Sequence, residues 1–180
     1  MSQVVIVSGP SGAGKSAVCE SLCERYDRTV HIETDAFFGC IRMGYQRPWL
    51  PGSDRQNHMV TRAVARAATA YAEELYAVFI DGVIGPHLLP TYVEELKTNS
   101  VPVHFVLLMP TLDATLDRAG HREASLNMPE LAHRRLYEQF VGYGPFAGVT
   151  MDTTALTPDQ AGVRVMEVCG RGDALVTPAS

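Results

Sequence analysis

The 180-residue chain carries 15 Lys and Arg against 20 Asp and Glu, a net charge of −5, and 46% of its residues are apolar. A single domain of this size buries about 70% of its unfolded surface and needs no disulfide or metal staple. The acidic balance argues against a nucleic-acid partner, which would call for a basic face, and no apolar run is long enough to span a membrane. Residues 1–7 have no basic stretch and too short an apolar run for a signal peptide. The four cysteines, Cys19, Cys23, Cys40 and Cys169, form no disulfide framework. Both features point to a reducing, cytoplasmic setting. Cys19 and Cys23 sit four apart on one expected helix, but no second close pair or nearby His completes a metal site, so they read as buried thiols.

In chain order, Val4–Val7 is a β-branched run without polar interruption, the pattern of a strand buried on both faces. The spacing predicts a helix over Lys15–Tyr26, with Val18, Cys19 and Leu22 at helical intervals. Val30–Glu33 reads as a second strand, ending at Thr34-Asp35, and Ala36–Met43 as a short helix. Residues 44–53 hold two prolines, two glycines and the only tryptophan, and read as a loop. An alanine-rich helix is expected over Asn57–Leu75. The apolar strand Ala77–Ile80 leads into Asp81-Gly82, with a helix over Leu88–Lys97 after it. Val103–Leu108 is a fourth strand, and helices follow over Leu112–Ala119 and Met128–Tyr143. Val149–Met151 is a short fifth strand and Pro158–Val168 the last helix. One domain over 1–170 is expected, with 171–180 as a flexible tail. Strands alternating with helices imply an α/β fold, a parallel sheet with helices on both faces.

The densest signal is Gly-Pro-Ser-Gly-Ala-Gly-Lys-Ser at 9–16, placed between a buried strand and the start of a helix. Gly9, Gly12 and Gly14 let the backbone wrap closely, so that the amide N–H groups of Gly9, Ser11, Gly12, Ala13 and Gly14 can surround phosphate oxygens, with Pro10 contributing its fixed φ. The helix start adds its positive dipole end. Lys15 supplies a cation to the β- and γ-phosphates, Ser16 a hydroxyl ligand for Mg²⁺, and Ala17 lies beside them in the first helical turn. The loop therefore implies ATP, or another nucleoside triphosphate, with Mg²⁺.

Two aspartates end strands, where an open parallel sheet places its ligand crevice. Asp81 suits Mg²⁺ or the substrate; the plainer role is a turn cap. Asp35 suits a general base for an acceptor hydroxyl; the plainer role is an N-cap on the helix expected at Ala36. Arg118 and Arg122 lie four apart, on one helical face, and are candidates to clamp phosphates in the transition state. Arg134 and Arg135 follow, and spacing does not say which faces inward. Phe38, Arg42, Arg47 and Trp49 border the irregular segment after the second strand and are candidates for an acceptor pocket, with Asp35 and Asp81. A Trp packing the loop onto the body is the competing role. His58, His87, His104 and His133 have no partner legible in the sequence.

With the phosphate loop, Glu-Thr-Asp at 33–35, Phe-Ile-Asp at 79–81, Arg118 to Arg122 and Met-Asp-Thr-Thr at 151–154, residues 3–168 resemble the small P-loop kinases of the nucleoside-monophosphate-kinase-like group. Within it they look most like the chloramphenicol phosphotransferase-like proteins, through Asp35 after the second strand and Asp152–Thr154 after the fifth. The resemblance implies a P-loop NTPase three-layer sandwich, its five-stranded parallel sheet ordered 2-3-1-4-5. It also implies Asp35 as general base, Arg118 and Arg122 in a short lid around 118–127, and Thr153 and Thr154 beside the adenine. Segment 43–56 matches no acceptor pocket of that group, and few arginines are available to grip an acceptor phosphate. The expectation is an ATP-dependent phosphotransferase acting on a hydroxyl of a small molecule, an antibiotic or a metabolite. The alternatives are a nucleoside or nucleotide kinase, or a nucleotide-binding resistance protein that sequesters its ligand without transfer. Neither a monomer nor a homo-oligomer is singled out.

Overall fold

The computed structural model describes residues 2–97, 101–120, 129–142 and 148–177. Its strands are β1 (Gln3–Ser8), β2 (Thr29–Glu33), β3 (Ala77–Gly82), β4 (Val103–Leu108), β5 (Val149–Met151) and β6 (Leu175–Thr177). Its helices are α1 (Lys15–Cys23), α2 (Thr34–Gly39), α3 (Asp54–Glu73), α4 (Leu89–Leu96), α5 (Leu112–Gly120), α6 (Glu130–Gly142) and α7 (Pro158–Arg171). Side chains alternate across the central strands. Val4 and Ile6 of β1, Val78 and Ile80 of β3, and Phe105 and Leu107 of β4 enter one core with Val60, Val64 and Ala68 of α3 and Tyr92 of α4. Val5, Val7, Phe79, Val106 and Leu108 enter the other, with Val18 and Leu22 of α1 and Val165 of α7. Two apolar faces explain why these strands read as unbroken apolar runs.

The sheet runs β2-β3-β1-β4-β5, all parallel, so the expected order holds and all five strands present their carboxyl ends to one edge. This is the three-layer P-loop NTPase fold. A sixth strand is the departure: β6 pairs antiparallel with β4, where a flexible tail over 171–180 was expected. β5 covers only Val106–Leu108 of the outer edge of β4, leaving its first residues open. β6 closes that stretch, and Phe105 N–H donates to the Ala174 carbonyl at 2.8 Å. α7 accordingly continues to Arg171, three residues past the expected end, and stops at Gly172 with φ 79°. Residues 178–180 lie outside the described residues.

Other boundaries moved for local reasons. α1 ends at Cys23 rather than Tyr26. α3 begins at Asp54 rather than Asn57, because Ser53 Oγ and Asn57 Nδ2 both donate to the Pro48 carbonyl and fold the loop onto the helix start. α2 begins at Thr34, immediately after β2.

Candidate active site

The phosphate loop leaves β1 at the carboxyl edge and enters α1. Gly9, Gly12 and Gly14 have φ of 152°, 90° and 89°. A Cβ on Gly9 would meet the Leu108 carbonyl oxygen at 2.4 Å, and one on Gly12 would meet that of Thr115 at 2.2 Å. Both glycines are therefore required twice, for backbone conformation and for the approach of the neighbouring chain. Ala13 N–H closes the loop on the Pro10 carbonyl at 3.1 Å. Lys15 is only 6% exposed, and its Nζ donates to the Pro10 carbonyl at 3.1 Å. The loop thus folds over its own cation and leaves its concave side to an anion at the N-terminus of α1.

Asp81 is the carboxylate that this loop faces. Register places it beside Val7 of β1 on one side and Glu33 of β2 on the other. Burial works to raise its pKa, but the His31 hydrogen bond, the Lys15 charge and a hydrogen bond from Ser16 outweigh it and hold the carboxyl below its ordinary range. His31 Nε2 lies 2.9 Å from Asp81 Oδ2. That hydrogen bond outweighs the opposing effect of burial and raises the His31 pKa above its ordinary value. Cys19 completes a trio: its thiol, a His31 ring nitrogen and an Asp81 oxygen lie within 4.8 Å of one another. The sequence reading placed no His near Cys19; β2 supplies one across the sheet. Burial, and secondarily the Asp81 charge, push the Cys19 thiol well above its ordinary pKa, which keeps it protonated.

Asp35 stands two residues beyond the β2–β3 register, exposed in the first turn of α2. Glu33 occupies the N-cap position, so the capping role considered for Asp35 is not the one it holds. Thr34, buried, lies against Gly82, where an added Cβ would meet its Oγ1 at 2.3 Å. Ser8 Oγ ties the chain after β3 to β1 through the Ile84 carbonyl (2.8 Å) and the Ile84 amide (3.0 Å). These contacts fix the ends of β1, β2 and β3 relative to one another.

On the other side of the loop, a cavity of about 390 Å³ opens between α1, α5 and the segment after β5, lined by Gly14, Ala17, Arg118, Thr153, Leu156 and Pro158, among others. Asp152 accepts from the amide and the hydroxyl of Thr154, and the Thr111 amide donates to Thr154 Oγ1. Arg118 Nη2 donates to the carbonyls of Thr153 and Thr154, both at 3.1 Å. The guanidinium is thereby turned toward the segment after β5. Arg122 and residues 121–127 of the expected lid lie outside the described residues. Arg134 pairs with Glu130 on the surface of α6, and Arg135 is exposed.

The acceptor candidates divide. Phe38 is half-buried against the core on the α3 side. Arg42 is exposed. Arg47 stands 6.0 Å from the ring centre of Trp49, and Trp49 is 51% exposed, with Met43, Tyr45 and Leu50 also uncovered in the same loop. The tryptophan does not pin the loop down; Gln46 does, bonded to Gln56 through both its amide and its carbonyl. The residue that sequence reasoning missed is His31. The available signal was its place in β2, two residues before Glu33 on an alternating strand beside the strand that carries Asp81.

The sequence pattern of the AAA domain family matches residues 4–142. A search of curated proteins finds no match. Among solved structures, the chain is similar to a sugar kinase of Janibacter sp. HTCC2649, at 20% identity and a TM-score of 0.71 over 99% of this chain and 100% of that one. It is similar to the tunicamycin resistance protein of Deinococcus radiodurans at 19% identity and a TM-score of 0.68, with the same coverage. Shikimate kinase from Acinetobacter baumannii aligns at 17% identity and a TM-score of 0.62 over 96% of this chain and 95% of that one. At these identities the likeness is one of fold.

Proposed function

The chain belongs to the AAA domain family, and from that membership and the geometry of its cleft we propose that it is an ATP-dependent phosphotransferase whose acceptor is a hydroxyl of a small molecule. One observation carries the reading: a phosphate loop, a charged carboxylate at the next strand end and a second carboxylate, Asp35, gathered at the edge where β1, β3 and β2 finish. Structural neighbours named as sugar and shikimate kinases support it.

The residues present fit both ligands. The Ser16 hydroxyl and the Asp81 carboxylate are hard oxygen donors of the kind Mg²⁺ takes, alongside phosphate and water. The 390 Å³ cavity beside Gly14 and Ala17 has the size and the apolar lining of a nucleotide-base pocket. Held there, Mg²⁺ would offset the charge that develops on the phosphate oxygens during transfer.

The chain's own groups then divide the work. Backbone N–H groups of Gly9 and of residues 11–14, with the Lys15 ammonium, hold the phosphates of ATP. Thr153, Thr154 and Arg118 border the base. Asp35 accepts the proton of the acceptor hydroxyl as its oxygen bonds to the γ-phosphorus and the bond to the β–γ bridging oxygen breaks, releasing ADP. Phe38, Arg42, Arg47, Trp49 and Asp81 surround the acceptor. The exposed rings and methionine of the 43–50 loop favour an acceptor with an apolar face, such as a hydroxylated antibiotic or metabolite. The test is transfer of labelled γ-phosphate from ATP, with Mg²⁺, across a panel of hydroxylated small molecules, nucleosides and nucleoside monophosphates. Phosphorylation confined to the nucleosides or nucleotides would replace this reading with that of a nucleotide-pathway kinase.

A further inference from the structure

We propose that His31 is the positioning residue for Asp81, anchoring that carboxylate from the side away from the phosphate loop; the inference rests on the reading of Asp81 as a metal-organising group. The strand register creates the contact. His31 pairs with Phe79, and Asp81 is the next residue of β3 on the same face, so the two side chains are diagonal neighbours on adjacent parallel strands. His31 Nε2 lies 2.9 Å from Asp81 Oδ2. The two side chains are 17% and 9% exposed, and the buried thiol of Cys19 lies beneath both. Little water competes for the carboxylate there, so its orientation is set by whichever partners it has.

Those partners pull from opposite sides. Lys15 and Ser16 act on Asp81 from the phosphate loop. With only these two, the buried carboxylate would close onto the Lys15 ammonium, and both would be withdrawn from ligands. His31 holds one oxygen back at the β2 side, which leaves the other for Ser16 and the metal. A group that orients a metal-organising carboxylate is commonly worth about 10–100-fold in metal affinity or activity.

The experiment measures Mg²⁺ dependence in the full chain in two ways. One is turnover at saturating ATP. The other is Mn²⁺ binding followed by electron paramagnetic resonance in the presence of a non-hydrolysable ATP analogue. His31→Leu removes the donor, His31→Gln places an amide N–H near the Nε2 position, and His31→Asn keeps an amide too short to reach. The expected result is a half-saturating Mg²⁺ concentration raised about 10–100-fold in His31→Leu and His31→Asn. His31→Gln is expected to restore most of the affinity. Should His31→Leu fail to fold, the contrast between His31→Gln and His31→Asn decides. Wild-type metal dependence in His31→Asn overturns the inference, as does equal loss in His31→Gln and His31→Asn, which would mean packing rather than the hydrogen bond matters. Asp81→Asn run in parallel separates the two levels. If it leaves metal dependence unchanged, the assignment of Asp81 itself falls. If it raises the requirement while the His31 variants do not, only the role of His31 falls.

Discussion

Lys15 and Asp35 bear on different parts of the proposed reaction, and their surroundings differ accordingly. Lys15 is buried under the loop, so its charge would meet a bound phosphate with little water between. Lys15→Ala is expected to lower kcat by about 10²–10³-fold and to weaken ATP binding by calorimetry, while thermal unfolding shows the fold retained. Arg118 is bonded to the carbonyls of Thr153 and Thr154, which supports a base-side role over a transition-state one. Arg118→Ala should therefore raise KM for ATP and leave kcat close to wild type; the reverse split would return it to the phosphoryl group. The phosphate loop was legible because its parts are consecutive and each glycine has a backbone reason. The Asp81–His31 contact was not, because it depends on which strands are neighbours and in what register, information that no local window contains.

At the scale of elements, the junction of β2 and α2 sets where Asp35 stands. Thr34 lies against Gly82 with no room for a methyl group. Gly82→Ala should push the start of α2 outward, destabilising the protein by about 1–3 kcal/mol and lowering kcat through displacement of Asp35, since misplacements near 1 Å cost about 10²-fold. Denaturant unfolding and steady-state kinetics on that variant check both effects; wild-type values in both would mean that the junction is compliant. The strands of the sheet core were readable because burial on both faces leaves them without polar interruption. β6 was not, because three residues after Gly172 carry no periodicity, and the reason for them is the bare edge of β4, a tertiary fact. The loop over 44–53 was recognised as irregular, but its anchoring by Gln46, Ser53 and Asn57 to the start of α3 follows from no motif.

For the molecule as a whole, stability should depend on pH through a histidine remote from the cleft. His104 lies in β4 at 4% exposure, and its Nδ1 has no hydrogen-bond partner among the described residues. Burial lowers its pKa from 6.5, so the folded state binds fewer protons than the unfolded one below that pH. Stability is then undiminished above about pH 6.5 and declines as pH falls through the unfolded-state value toward the folded one. His87 is lowered by burial too and shares this sign, whereas His31 is raised by Asp81 and opposes it. The difference between wild type and His104→Leu isolates the one group: the variant should lose less stability than wild type between neutral and mildly acid pH. Parallel curves would show that His104 is not the residue responsible.

The central claim is that this fold transfers a phosphoryl group to a hydroxyl rather than only holding a nucleotide, and Asp35 separates the two. Its side chain is exposed, is not the N-cap of α2, and has no structural partner in the observed hydrogen bonds among the described residues. The decisive measurement compares wild type and Asp35→Asn for ATP affinity by calorimetry and for transfer of labelled γ-phosphate to the best acceptor of the panel. The account predicts unchanged ATP binding, a stability change under about 1 kcal/mol and a fall in transfer rate of about 10²–10⁴-fold. Transfer at the wild-type rate in Asp35→Asn would contradict it.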